Sequence, residues 1–157
     1  MNKLCKIALL FLLLGAYQEV SAWGMTGHRI VAEIAERHLN KKAKKNIHKL
    51  IGNQKLAYWA NWPDFIKSDK DPELEKLGSS HFINTESNLS LDQFHEALHQ
   101  SSEENLYKAY LTLKDEAKGN SLTLTQQQQH LFFIFHLFGD AHQPMHVSRT
   151  DDLGGNK

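Results

Sequence analysis

The sequence predicts an all-α protein with a single domain, and three observations support this. In several segments apolar residues recur every three or four positions, which is the spacing of one face of an α-helix. No segment alternates apolar and polar residues over the length of a strand, and the sequence has no internal repeat. Without its first 22 residues the chain of 157 still has 135, enough for one domain with its own core.

The first two predicted helices follow each other closely. Between His28 and Leu39 the apolar residues fall on one helical face, and the charged residues lie mostly opposite. Asn40 is a typical N-cap for a second helix that ends at Ile51, where Gly52 provides a stop signal. This second helix is rich in lysine, and we expect its charged side to be a solvated face with no specific function.

The middle of the chain has weaker signals. A short helical piece is predicted over residues 56–62 and is interrupted by Pro63. Residues 67–78 are polar, charged and contain a proline, which indicates a loop. Residues 79–85 form a short segment that is compatible with an extended conformation.

Three more helices are predicted in the second half. Residues 91–99 and 105–117 have amphipathic patterns. The last helix begins at Thr125 and becomes apolar on all sides over residues 131–138, which predicts a buried central helix. Core packing does not explain why this helix contains a histidine and ends in an aspartate.

The first 22 residues have the pattern of a secretory signal peptide. Two lysines precede an apolar run over residues 7–16, and Val20-Ser21-Ala22 supplies the small residues that signal peptidase accepts. The run is too short to span a bilayer, which takes ~20 residues; an uncleaved membrane anchor is the alternative. Cleavage there leaves residues 23–157 as the mature domain, beginning with Trp23. We therefore expect an exported protein, periplasmic or secreted, with no membrane segment after cleavage.

The composition of the mature domain points towards metal rather than disulfides. The only cysteine, Cys5, lies in the signal segment, so the domain must be held by its core, by metal, or by both. Without Lys3, Lys6 and Glu19 the totals of 18 basic and 18 acidic residues fall to 16 and 17, so the bare domain would not attract a polyanion. The ten histidines are spread over several segments, and histidine is the commonest metal ligand, although most should be surface residues.

His136 and Asp140 are four residues apart, so both project from one face of the last helix. Burying an imidazole and a carboxylate is costly without partners. A hydrogen bond between the two or a shared metal ion would meet this cost, and the pair alone favours the hydrogen bond. The segment that follows turns the chain and brings His146 back. The three residues together offer the nitrogen and oxygen ligands of a zinc site.

Three further candidates would be unremarkable in isolation. His28 could simply belong to the first turn of a helix, Asp64 could be a turn or cap carboxylate, and His81 could be a surface histidine. Their significance depends on whether they occur with the others in a known order.

Five motifs run in order along the mature domain: Trp-x-x-x-x-His (Trp23, His28), Trp-x-Asp (Trp62, Asp64), His-Phe-Ile-Asn (His81, Phe82, Ile83, Asn84), His-x-x-Gly-Asp-x-x-Gln-Pro-x-His (His136, Asp140, His146) and Gly-Gly-Asn (Gly154, Gly155, Asn156). This combination closely resembles the S1/P1 nuclease family, the exported zinc nucleases of fungi, plants, bacteria and some parasites. The resemblance implies a single helical domain of the phospholipase C/nuclease type.

The resemblance also implies a site of three zinc ions. One zinc would be held by four side chains: Asp64, His81, His136 and Asp140. A second would be held by the amino group and carbonyl of Trp23 with His28, and Asp140 would bridge the pair. The third would take His146 and a later His-x-x-x-Asp pair that lies beyond this chain. We therefore expect a truncated member in which the C-terminal helices are missing, with two to three zinc ions.

The chemistry that the resemblance implies is zinc-assisted hydrolysis of single-stranded DNA and RNA to 5′-phosphorylated products, with 3′-nucleotidase activity. Asp64 would orient the attacking water, and Lys67 would stabilise charge on the phosphate. Asn156 would contact the phosphate. A base would stack on Phe82. Asn84 stands where many family members have an aspartate, so the base preference of those members cannot be transferred to this chain.

Two alternatives remain at this stage, and no obligate protein partner is predicted. A zinc-dependent phospholipase C shares the three-metal arrangement and the N-terminal tryptophan, but it places the next histidine much further from that tryptophan than the five residues between Trp23 and His28. An inactive truncated zinc-binding fragment is the second alternative. Hydrolysis of denatured DNA, with and without a chelator, separates these possibilities.

Overall fold

The structure, a computed structural model, describes residues 24–66 and 78–151. Its helices are α1 (Met25–His38), α2 (Lys41–Ile51), α3 (Leu56–Trp59), α4 (Trp62–Ile66), α5 (Leu91–Gln100), α6 (Leu106–Glu116) and α7 (Leu124–Ala141). Two short strands, β1 (Ile83–Thr85) and β2 (Val147–Arg149), and two 3-10 helices, Gly78–His81 and Pro144–His146, complete the described part. The predicted all-α class is confirmed.

Helix α7 occupies the centre of the described part and contacts α1, α2, α3, α4 and α6. Phe133 and Leu137 on one side of α7 belong to a core cluster with α6 and β1. Leu131 and Phe135 pack against a second cluster made by α1, α3 and the residue after α3. The prediction of a central helix is confirmed, with the difference that its Phe138 is 44% exposed.

Side-chain caps explain where the longer helices begin. The Asn40 side chain accepts a hydrogen bond from the Ala43 amide at 2.8 Å at the start of α2, as predicted. Thr123 forms a capping box with Gln126 at the start of α7. At the other end of α2, Gly52 has φ +66°, a left-handed conformation that glycine adopts without strain.

The structure corrects the prediction that Pro63 interrupts a helix over residues 56–62. The first helix ends at Trp59, and a second helix, α4, begins at Trp62 with Pro63 in its first turn. Proline is tolerated at that position because the first amides of a helix have no partner within the helix. The predicted loop over residues 67–78 lies outside the described residues, except for Gly78.

The two strands form a small parallel sheet that the sequence pattern did not predict. Ile83 pairs with Val147, Asn84 with Ser148 and Thr85 with Arg149. Each strand directly follows a predicted ligand segment, since His81 lies two residues before β1 and His146 one residue before β2. The sheet thus ties together two parts of the chain that are far apart in sequence.

Within residues 24–66 and 78–151, no helix has both the length and the apolar character needed to cross a bilayer.

Candidate metal centre

His136 and Asp140 lie in the last turns of α7 and are almost completely buried, at 0% and 1% exposure. Their side chains face the same way because they are one helical turn apart, and His136 Nε2 lies 3.2 Å from Asp140 Oδ2. Burial of an ionised carboxylate among phenylalanines is costly unless it is well compensated. The surroundings of Asp140 show how it is compensated.

Four imidazoles surround the carboxylate of Asp140, two at each oxygen. His81 Nδ1 lies 3.0 Å from Oδ2, on the same side as His136. His28 Nε2 and His146 Nε2 each lie 3.4 Å from Oδ1. A carboxylate flanked in this way on both oxygens is suited to bridge two cations.

The ligand candidates come from four separate segments that pack around the end of α7. His28 lies in the first turns of α1, Asp64 in α4, His81 at the end of one 3-10 helix and His146 at the end of the other. At the start of the second 3-10 helix, the buried side chain of the N-cap Gln143 accepts a hydrogen bond from the Met145 amide. This contact helps fix the turn that returns His146 towards Asp140.

Asp64 lies at the more open side of the cluster, with a side chain that is 40% exposed. Its Oδ1 is 3.6 Å from His136 Nε2, and its Oδ2 is 3.8 Å from His28 Nε2. It therefore spans the two imidazoles that flank opposite oxygens of Asp140. A partly exposed carboxylate at this position can contact solvent and a ligand of the site at the same time.

The tautomer of His136 follows from its backbone contact. His136 Nδ1 lies 2.8 Å from the carbonyl oxygen of Ala60, and a carbonyl can only accept, so Nδ1 carries the hydrogen. In the neutral ring Nε2 then presents a lone pair to the site, where His81 Nδ1 is only 2.9 Å away. Such a backbone partner is the usual means of orienting a metal-binding imidazole.

The pKa values of His28 and Asp140 favour the ligating forms of both side chains. Burial, reinforced by the neighbouring His136, lowers the pKa of His28 from 6.5 to about 4, although Asp140 and Asp64 act in the opposite direction. Burial raises the pKa of Asp140, but its close contacts with the His136 and His81 imidazoles outweigh this effect and hold the pKa well below its ordinary range. Near neutral pH the metal-free site thus has a neutral imidazole and an ionised carboxylate.

The arrangement fits a divalent metal ion better than a closed hydrogen-bond network. The structure contains two overlapping groups of three residues that could hold a metal ion. Within each group, one donor atom per residue lies within 4.8 Å of the other two. The groups are His28, Asp64 and His136, and His81, His136 and Asp140. In the part of the chain that the structure describes, the buried His28 Nδ1 has no hydrogen-bond partner, so a hydrogen-bond network does not satisfy every buried polar atom of the cluster. Imidazole and carboxylate donors are the set that borderline divalent ions such as zinc accept.

Six of the predicted ligands are brought together in this cluster: His28, Asp64, His81, His136, Asp140 and His146. The predicted ligand Trp23, the predicted catalytic Lys67 and the predicted phosphate contact Asn156 lie outside the described residues.

The predicted base contacts Phe82 and Asn84 lie next to the cluster, immediately after His81. The Phe82 ring is 42% exposed, and Asn84 is an exposed residue of β1. Both line a cavity of about 130 Å³ together with residues of the loop before α6, among them Ser101 and Asn105. The location is compatible with a base held beside the metal centre.

The remaining histidines behave as expected from the sequence. His38, His48, His95 and His99 are exposed. His130 pairs with the Glu116 carboxylate at 2.6 Å and with the Gln126 carbonyl at 2.7 Å. His142 is exposed, and its Nδ1 donates to the Phe138 carbonyl at 2.7 Å.

Two contributors to the site were missed at the sequence level. The Ala60 carbonyl orients His136, and no side-chain pattern announces a backbone acceptor. Gly139 lies against the His28 ring, where any Cβ would collide with it. A glycine inside a helix is unfavourable by itself, and that was the available signal.

Fold and site together define a helical protein in which imidazoles and carboxylates surround one buried aspartate. A sequence model described as S1/P1 Nuclease matches residues 23–157, and the chain belongs to this family. Endonuclease 2 of Arabidopsis thaliana is 30% identical over 160 residues, covering 92% of this chain and 52% of that protein. Nuclease S1 of Aspergillus oryzae is 27% identical, with 85% of this chain and 47% of that protein covered. Nuclease P1 of Penicillium citrinum is 25% identical, with 86% of this chain and 50% of that protein covered. The chain spans about half the length of these relatives.

Proposed function

We propose that this chain carries the metal centre of a zinc-dependent nuclease that hydrolyses single-stranded DNA and RNA to 5′-phosphorylated products, with 3′-nucleotidase activity. The observation that carries the proposal is the position of Asp140, a buried carboxylate with two imidazoles at each oxygen. Membership of a nuclease family and relatives with nuclease names support the same substrate class.

The residues would hold zinc in two neighbouring positions and would contribute to a third. His81, His136, Asp64 and Asp140 would hold one ion, and His28 and Asp140, with the amino group of Trp23, a second. His146 lies beside Asp140 and would serve the third. When bound, zinc lowers the pKa of a coordinated water to near 7 and stabilises negative charge on a phosphoryl group.

The other roles belong to the chain itself. Asp64, half-exposed at the mouth of the cluster, would accept a hydrogen bond from the attacking water and align it with the phosphorus. The exposed Phe82 ring would stack on an unpaired base, which favours single strands and tolerates any base. Lys67 and Asn156 are proposed to contact the phosphate.

Hydrolysis assays test the proposal directly. The mature chain is incubated with denatured DNA, with a chelator, and with chelator followed by excess zinc. We expect hydrolysis to be lost with the chelator and to return with zinc. The products should carry 5′-phosphates. Cleavage of phosphatidylcholine but not of DNA would show a phospholipase C, and zinc binding without hydrolysis of either would show an inactive fragment.

We also propose that residues 1–22 direct export and that cleavage after Ala22 frees the amino group of Trp23. The pattern of small residues at Val20 and Ala22 supports this. Sequencing the N-terminus of protein recovered from outside the cytoplasm should give Trp23, whereas Ala22→Arg should leave the precursor uncut and Ser21→Ala should not. Recovery of protein that still begins at Met1 would contradict the proposal.

A further inference from the structure

Helix α2 has an uneven charge distribution in a chain whose formal net charge is zero. It carries five lysines and no acidic residue: Lys41, Lys42, Lys44, Lys45 and Lys49. All five are exposed, and in the described ranges none of them forms an ion pair, whereas Lys55 pairs with Glu33 and Lys118 with Asp115. The positive charge of α2 is therefore concentrated, and no acidic side chain of the described residues pairs with it.

This charge is unfavourable for the helix itself. Lys41 and Lys45, and Lys45 and Lys49, are four residues apart, where like charges on a helix repel. Lys41 and Lys42 also lie in the first turn, next to the positive end of the helix dipole. An anionic partner along this face would relieve both effects.

The lysine face has a fixed position relative to the metal centre. Ile47 and Ile51 pack against the core cluster beneath α2, and Gln128 Nε2 donates to the Leu50 carbonyl at 2.6 Å. Gln128 is on α7, eight residues before His136, which places the contact ~12 Å from that ligand along the helix axis. Helix α2, which carries the lysines, is thus fixed against α7, the helix that carries His136 and Asp140.

We infer that the lysine face of α2 is a second contact surface for single-stranded nucleic acid, binding backbone phosphates while another part of the strand occupies the metal centre. The inference rests on the proposed function for its choice of partner. Helix α1 leads from His28 to α2, and ten residues of helix from His28 to its end span ~15 Å. At ~3.4 Å per nucleotide of stacked strand, this span corresponds to about four nucleotides. A longer strand reaches both places, and a dinucleotide does not.

Two matched variants test the surface. The triple variant K42Q/K45Q/K49Q removes three charges from α2. The control K108Q/K114Q/K118Q removes three from α6 and the turn that follows it, where Asp115 and Glu116 accompany the lysines. Binding of a dye-labelled oligothymidylate is followed against salt concentration in chelator, so that no cleavage occurs. Because each phosphate contact contributes about −0.7 to the slope of log affinity against log salt, the α2 variant should lose about 2 from the magnitude of the slope. The α6 variant should keep it.

Thermal melting and activity measurements complete the test. The α2 variant should melt at the same or a higher temperature, because repulsion is removed, so weaker binding does not reflect misfolding. With zinc, the KM of the α2 variant should rise for long strands and stay unchanged for dinucleotides.

Equal salt slopes for the two triple variants would overturn the inference. So would lysine-dependent binding to phosphatidylserine vesicles without binding to oligothymidylate, since the partner would then be an anionic membrane. If the chain binds oligothymidylate through these lysines but hydrolyses no nucleic acid, the contact surface is supported and the proposed activity is refuted. A failure of the surface and a failure of the proposed activity are therefore distinguishable.

Discussion

Gly139 of α7 lies directly against the imidazole of His28. A Cβ at residue 139 would collide with His28 Nδ1 and would lie 3.0 Å from Cε1 and 3.2 Å from Cγ. The His28 ring also stacks on His136, with ring centroids 4.0 Å apart and planes 14° from parallel. Two residues of α7 therefore lie in close contact with this ring.

Gly139→Ala is expected to displace His28 and to weaken metal binding. Alanine favours a helix over glycine by about 1 kcal/mol, but the collision should outweigh this and destabilise the fold by about 1–3 kcal/mol. Metal content and thermal melting measure both effects. Gly119→Ala is the control, because its Cβ would meet only Glu116 and Ser121. Wild-type metal content in the residue-139 variant would show that the ring has room to move.

Asp140→Asn keeps the shape of the side chain and removes the charge that faces four imidazoles. Metal affinity should fall by more than the roughly 10- to 100-fold that is typical of losing an outer partner of a ligand, and hydrolysis should fall with it. Isothermal titration with zinc measures the affinity, and Asp92→Asn on the exposed start of α5 serves as the control. Unchanged zinc affinity in the residue-140 variant would refute the bridging role.

The metal-free chain should lose stability as the pH falls from about 6.5 to about 4. The pKa of His28 is about 4 in the folded chain, whereas the ordinary value of 6.5 applies in the unfolded chain. As the pH falls, the unfolded chain therefore binds a proton first, and acid favours unfolding. Urea unfolding in chelator across this pH interval measures the effect. His28→Asn should flatten the dependence, and an equally steep dependence in that variant would assign it to other groups.

An amino-terminal extension tests the contribution of Trp23. A mature chain that retains one methionine before Trp23 moves the free amine by one residue, and it should bind one zinc fewer than a chain that begins at Trp23. Metal analysis of the two purified forms provides the comparison. Equal zinc content would mean that the amine is not a ligand.

Phe82→Ala should weaken the binding of single strands without removing metal. Loss of one stacked base costs about 1–3 kcal/mol, which appears as a higher Kd for oligonucleotides at unchanged zinc content. Tyr58→Ala removes another exposed ring, 58% exposed on α3, and should leave the Kd as it is. Equal effects of both variants would argue against stacking at Phe82.

Local signals made most of the helices predictable from sequence. Asn40 caps α2 as expected because its side chain acts on an amide three residues away. Pro63 was misjudged because its effect depends on its position within a helix. The pairing of β1 with β2 could not be predicted, since three-residue strands 64 residues apart have no periodicity to reveal them.

The candidate site was predictable as a set of side chains but not as a geometry. The pair His136 and Asp140 alone favoured a structural hydrogen bond over a shared metal ion. The structure adds His28, His81 and His146 around the same carboxylate, which a simple pair does not need. The orienting carbonyl of Ala60 and the close approach of Gly139 depend on tertiary packing, which no spacing in the sequence encodes.

The small parallel sheet separates two kinds of evolutionary change. Its backbone hydrogen bonds, rather than particular side chains, hold the segments of His81 and His146 in register. Asn84, an exposed residue of β1, can therefore be replaced without disturbing that register. The base preference proposed for Asn84 can thus change while the spacing of the candidate metal ligands is inherited intact.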